Sequence, residues 1–127
     1  MPACTVIPVL GYPDVGEAID WLCSTFGFSL RLRIANHRAQ LNVGDGAIAI
    51  TEQSGPVGKD SSLMVRVENV DSHHDHAVQH GAHVLDSPAD YPFGDRQYTV
   101  EDFAGRRWTF SQSIADVDPK DWGGTPG

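Results

Sequence analysis

The sequence predicts an α+β fold: two tandem βαβββ modules, each a curved mixed sheet with one face under a helix, arranged around a cleft. Three observations predict it. The order strand, Asp, helix, Gly, strands occurs twice, with Asp14 and then Asp71 in the capping place. Apolar residues alternate with polar ones over strand-length stretches and change to helical spacing only between each Asp and the Gly that follows. The one linker-like stretch, SGPVGKD at 54–60, falls between the two copies.

The first module covers residues 5–53. TVIPVLGY (5–12) reads as a strand with Val6, Pro8 and Leu10 on one face and Ile7 and Val9 on the other. A strand that is apolar on both faces is expected where its second face lines an apolar pocket. Asp14 caps a helix over 15–26 whose stripe is Val15, Ala18, Ile19, Leu22 and Phe26, and Gly27 stops it. Three strands follow. SLRLRIA (29–35) alternates cleanly, HRAQLNV (37–43) sets Ala39, Leu41 and Val43 on one side, and AIAITE (47–52) comes after the turn GDG.

The second module covers 61–112. In SSLMVRVENV, Leu63, Val65 and Val67 form the set expected under the helix, leaving Ser62, Met64 and Arg66 toward the cleft. Asp71 opens a helix to about Gly81, with His74, Ala77 and Val78 toward the sheet and His73, His76 and His80 toward solvent. Strands are expected near 83–87, 96–101 and 106–112. In the last, Trp108 and Phe110 go under the helix, and Arg107, Thr109 and Ser111 face the cleft. The tail 113–127 shows no periodicity, and its Trp122 is placed as docking on the body or across a dimer.

Composition narrows the partners. A chain of 127 residues fits one domain. With 17 acidic against 9 basic side chains, a net charge of −8 and no run of Lys or Arg, it makes a poor partner for nucleic acid or an anionic membrane. The same acidity keeps a protein soluble and draws cationic small molecules. Cys4 and Cys23 stand apart without a CxxC pair, which points to reduced thiols and a cytoplasmic protein. The start lacks a basic region, and Pro8 and Gly11 interrupt its apolar run, so neither export nor membrane insertion is expected.

The stretches IPVLGYPDVGEAIDWLCSTFGF, MVRVENVDSHHDHAVQHGAHVL and YPFGDRQYTVEDFAGRRWTFSQ, in that order, resemble the vicinal oxygen chelate superfamily, also called the glyoxalase / bleomycin resistance / dioxygenase superfamily. The resemblance covers about residues 5–112, and the Asp-capped helix and the D-x-x-G turn at Asp102 and Gly105 make it specific for fold. It implies less about function. The superfamily includes metal-dependent lyases, isomerases, epimerases, dioxygenases and fosfomycin-modifying transferases, and also metal-free proteins that sequester antibiotics. Its enzymes hold a metal with His, Glu or Gln from the first strand of each module and from the last strand. Carried over, those places fall at Ile7, Ser62 and Thr109, none of which suits a transition metal here.

The resemblance therefore implies a metal-independent binding protein, with no metal or other cofactor, that sequesters a small hydrophobic or aromatic ligand. A cationic ligand would suit the acidity, and a homodimer is implied by the family. The expected ligand-binding residues are Ile7, Val9, Gln40, Asn42, Ser62, Met64, Arg66, Tyr91, Phe93 and Thr109. For several of these an ordinary alternative stands beside that role. Gln40 and Asn42 also suit an exposed strand face, Arg66 a structural ion pair, and Tyr91 and Phe93 a seal on the core. Trp21 reads as packing or as a contact with a partner subunit. His76 and His80 stand at i, i+4, a zinc-clipping spacing, but on the solvent side of the helix, away from the cleft, they read instead as solvated imidazoles or an adventitious surface site. The alternative function is a lyase, isomerase or dioxygenase with a relocated metal or with acid–base groups drawn from His37, Glu52 and Glu101.

Overall fold

The computed structural model describes residues 5–55 and 62–115, which form two compact units. The first takes residues 5–55 together with 102–106, and the second takes 62–101 with 107–115.

In the first unit the elements are β1 (Val9–Tyr12), α1 (Val15–Phe26), β2 (Ser29–Ile34), β3 (Arg38–Val43) and β4 (Gly46–Glu52). They form a four-stranded sheet in the order β1-β4-β3-β2, with β1 parallel to β4 and the other pairs antiparallel. The second unit repeats the plan with β5 (Ser62–Arg66), α2 (Val70–Gln79), β6 (His83–Tyr91), β7 (Asp95–Glu101) and β8 (Arg107–Ser113), ordered β5-β8-β7-β6. The βαβββ repeat read from the sequence is thus present in topology as well as in element order.

α1 forms where the sequence places it. Asp14 Oδ1 accepts from the Glu17 amide at 3.0 Å, and Gly27, at φ 81°, donates its amide to the Cys23 carbonyl at 3.1 Å. Its stripe of Val15, Ala18, Ile19, Leu22 and Phe26 is buried, as are Leu10, Tyr12, Leu41, Ile48 and Ile50 of the sheet below. A second cap comes from the β2–β3 turn, where Asn36 Oδ1 accepts from the Gly16 amide at 2.8 Å. A Cβ on residue 16 would sit 3.1 Å from that oxygen, so a larger residue would push the Asn36 side chain back by a few tenths of an ångström.

Four expectations are corrected. The first strand starts at Val9 rather than Thr5, because Pro8 has no amide to donate and only its carbonyl joins the ladder, accepting from Ala49 at 2.9 Å. β2 does not alternate cleanly. A bulge between Leu30 and Leu32 leaves Leu30 opposite Leu41 on the α1 side and Leu32 opposite Gln40 on the other. α2 is capped by Asn69, whose Oδ1 accepts from the Ser72 amide at 3.0 Å, and not by Asp71, which pairs with Arg96 instead. Finally, with Val70 buried as the first helical residue, the inward stripe falls on Val70, His73 and Ala77, so Val78 is exposed. His73 accordingly lies against the sheet, its ring 4.0 Å from that of Phe110 and its Nδ1 hydrogen-bonded to the Tyr98 hydroxyl. Trp122 and Cys4 lie outside the described residues.

Candidate functional site

Each sheet has one face under its helix and one open face, and strand alternation decides which residues reach the open face. In the first unit the open face carries Val9 on β1, Ala47, Ala49 and Thr51 on β4, Arg38, Gln40 and Asn42 on β3, and Leu32 and Ile34 on β2. Val9 and Ile34 are each 59 % exposed, whereas Ala47 and Ala49 are buried. The apolar floor is the strip of Val9, Ala47 and Ala49; the β3 row of Arg38, Gln40 and Asn42 separates it from Leu32 and Ile34, and Asn42 Nδ2 donates to Ser29 Oγ at 3.2 Å. Ile7 is half-buried and precedes β1.

The second open face is polar. β5 contributes Ser62, Met64 and Arg66, β8 contributes Arg107, Thr109 and Ser111, and β7 contributes Asp95, Gln97, Thr99 and Glu101. Their hydrogen bonds run across the strands. Thr99 Oγ1 and Thr109 Oγ1 are 3.0 Å apart, Ser111 Oγ donates to Asp95 Oδ2 at 3.0 Å, and Arg66 Nη1 reaches Asp95 Oδ1 at 3.4 Å. Met64, between Ser62 and Arg66, is 62 % exposed. At the end of the face Tyr91 pairs with Asp95 in register, and its ring stacks on Phe93 with centroids 5.5 Å apart.

The ten residues expected to bind a ligand thus divide between the units. Ile7, Val9, Gln40 and Asn42 fall in the first, and Ser62, Met64, Arg66, Tyr91, Phe93 and Thr109 in the second. Sequence reasoning missed Leu32 and Ile34, because the β2 bulge that brings them to the open face leaves no mark in the alternation. It also missed Asp95 as the partner of Arg66, and Ser111 as a donor to Asp95, a relation between strands that spacing along the chain does not carry.

The three places at which the resemblance puts metal ligands carry side chains that do not suit a metal. Ile7 offers no donor atom, Ser62 offers a neutral hydroxyl, and the Thr109 hydroxyl is engaged with Thr99. Among the described residues no three His, Cys, Asp or Glu side chains converge as a metal set would. His76 and His80 are exposed with their rings 4.3 Å apart, and His80 Nδ1 is 2.9 Å from the His76 carbonyl oxygen. The acid–base candidates separate. Glu52 belongs by alternation to the α1 side and holds His37 at 2.9 Å. Glu101 is on the second open face, 2.7 Å from His83 Nδ1.

A buried network lies within the first unit. Tyr12 donates to Asp102 Oδ2 at 2.6 Å, and Asp102 Oδ1 accepts the amides of Ala104 and Arg106, each at 3.0 Å. Arg106 lies over the Tyr12 ring and donates to the Gly11 carbonyl at 3.0 Å. Burial, and then the Asp102 carboxylate, push the Tyr12 phenol well above its usual range. Phe103 stacks on Tyr12 and touches Trp21, which makes Trp21 a packing residue.

A family model described as the Glyoxalase/Bleomycin resistance protein/Dioxygenase superfamily matches residues 6–110. No curated protein sequence matches the chain. Among solved structures, TioX from Micromonospora sp. ML1 is similar at 29 % identity and a TM-score of 0.75, covering 91 % of this chain and 100 % of that one. Lactoylglutathione lyase from Agrobacterium tumefaciens is similar at 15 % identity and a TM-score of 0.72, covering 89 % of this chain and 96 % of that one. The genomically encoded fosfomycin resistance protein FosX from Listeria monocytogenes follows at 13 % identity and a TM-score of 0.72, covering 88 % and 94 %. At 15 % and 13 % identity, the latter two likenesses concern the fold alone.

Proposed function

Since this chain belongs to the Glyoxalase/Bleomycin resistance protein/Dioxygenase superfamily, we propose that it is a metal-independent binding protein that sequesters a small hydrophobic or aromatic molecule on its open sheet faces. The observation that carries this reading is the first open face, where exposed Val9 flanks the buried Ala47 and Ala49 on one side, the amides of Gln40 and Asn42 flank them on the other, and exposed Leu32 and Ile34 lie beyond the amides. Apolar surface left in water costs free energy that a hydrophobic ligand recovers, and flanking amides fix such a ligand's orientation. Ile7, Ser62 and Thr109 add support, because they offer no donor set for the metal chemistry of the superfamily's enzymes. A homodimer and a role in antibiotic tolerance belong to the same reading.

An enzymatic reading has one observation in its favour, the His83–Glu101 pair on the second open face, which orients an imidazole for proton transfer. The test is a thermal-shift screen of metal-stripped protein against planar aromatic compounds, including antibiotics, with calorimetric titration of zinc, manganese, nickel and ferrous iron. We expect aromatic compounds to raise the melting midpoint without added metal. One tight ion per subunit that persists in a His76→Ala/His80→Ala variant would overturn metal independence and direct the search to lyase or dioxygenase activity.

A further inference from the structure

The second open face contains an arginine that is braced from beneath. Ser111 is fully buried, receives Gln97 Nε2 at 3.5 Å on its hydroxyl oxygen, and donates to Asp95 Oδ2 at 3.0 Å. Asp95, 17 % exposed, then holds a single nitrogen of Arg66, Nη1, at 3.4 Å, and the Arg66 side chain is 59 % exposed. An exposed pair of this kind stabilises a fold little. Bracing its carboxylate with a buried serine does, however, fix where the guanidinium points. One nitrogen is engaged with Asp95, and the planar fork keeps further N–H groups able to grip a carboxylate by two bonds.

Arg66 stands on β5, but its head reaches across β8 to Asp95 on β7, whose register partner on β6 is Tyr91. Neighbouring strands are about 4.8 Å apart, so the guanidinium rests about one strand spacing from the strand that bears Tyr91. That ring is stacked on Phe93 and remains 38 % exposed. An aromatic surface and an oriented guanidinium therefore share one face, at a separation that suits a ring carrying a carboxylate. The chain's net charge of −8 favours cations in general. On this face, though, Asp95 is committed to Arg66 and Ser111, while Asp86, opposite Thr99, and the Glu101–His83 pair beside Arg107 lie farther along the strands from Arg66.

We infer that the second open face binds the carboxylate of a planar aromatic ligand, with Arg66 as the anion-binding residue and Asp95 and Ser111 positioning it. The inference rests on the small-molecule binding reading above and adds the sign of the ligand's charge. Its test is titration of the full chain with 2-naphthoate and with neutral 2-naphthamide, alongside melting midpoints for each variant. We expect naphthoate to bind at least roughly tenfold more tightly, as a charge-assisted bidentate contact allows. Arg66→Met should erase that preference, and Arg66→Lys, which keeps the charge but loses the fork, should retain only part of it. Ser111→Ala should reduce the preference while leaving naphthamide affinity unchanged, which loss of structure alone would not do. If naphthamide binds and naphthoate binds no better, or if the preference survives Arg66→Met, the anion site is overturned and the binding reading stands. If neither compound binds, both fall.

Discussion

The Tyr12 hydroxyl donates to Asp102 Oδ2 at 2.6 Å with both residues buried, joining positions ninety residues apart in sequence. This bond ties the turn at 102–106 to β1 within the first unit, and it sets the first expectation. Tyr12→Phe removes a donor from a buried carboxylate at almost constant volume, so the cost is chiefly electrostatic. We expect a loss of about 1–3 kcal/mol in urea denaturation, with the denaturant slope unchanged. A loss below about 0.5 kcal/mol would show that the bond contributes little to holding the turn.

The same phenol predicts an alkaline limit to stability. Tyr12 and Tyr98 are both raised above 10.0, chiefly by burial, with the Asp102 carboxylate adding to the shift for Tyr12. Near pH 10 the unfolded chain begins to release these protons while the folded chain keeps them. The unfolded state then binds fewer protons, so stability is fully present below about pH 10 and falls as the pH rises above it. Denaturation midpoints measured from pH 8 to pH 11 should show that decline, with a shallower slope in Tyr12→Phe. An identical slope in the variant would remove Tyr12 as a source.

The two helix caps test how far the sequence could be read. Asp14-Val15 and Asn69-Val70 are the true pair, each a capping Asx followed by a wholly buried valine. Reading Asp71 as the second cap consigned Val70 to the preceding strand, and a helix face that began without Val70 then turned His73 outward. Both Asn69 and Asp71 are competent caps, and only burial of Val70 chooses between them. The repeat, the helix over 15–26 and the helix-facing rows of β5 and β8 were legible because periodicity carries them. The β2 bulge and the Arg66–Asp95–Ser111 relay were not, since register between strands is set by pairing that a single sequence does not display. We expect Asn69→Ala to cost about 1 kcal/mol. Asp71→Ala should cost less than about 1 kcal/mol, because it loses a surface ion pair to Arg96 and a first-turn carboxylate rather than a capping acceptor. Thermal melts of the two variants decide the register, and the reverse ranking would restore Asp71 as the cap.

The last expectation concerns the first open face. Val9 is 59 % exposed, lies opposite Ala49 in the parallel pairing of β1 with β4, and is part of the apolar floor. In the unliganded protein Val9→Asp places a carboxylate in water and buries nothing, so stability should shift by no more than about 0.5 kcal/mol. Ligand binding reverses that accounting. A hydrophobic molecule on Ala47 and Ala49 would strip water from the new carboxylate and lose the valine methyls as partners, and an unpaired buried charge is far costlier than an exposed one. Affinity for an apolar aromatic probe should therefore fall at least tenfold while the melting midpoint holds. Asp replacing Glu17, which is exposed on α1 rather than on the sheet, provides the control and should leave binding unchanged. If Val9→Asp binds the probe as tightly as the parent chain, the ligand does not lie on this face, and the search moves to the polar face of the second sheet.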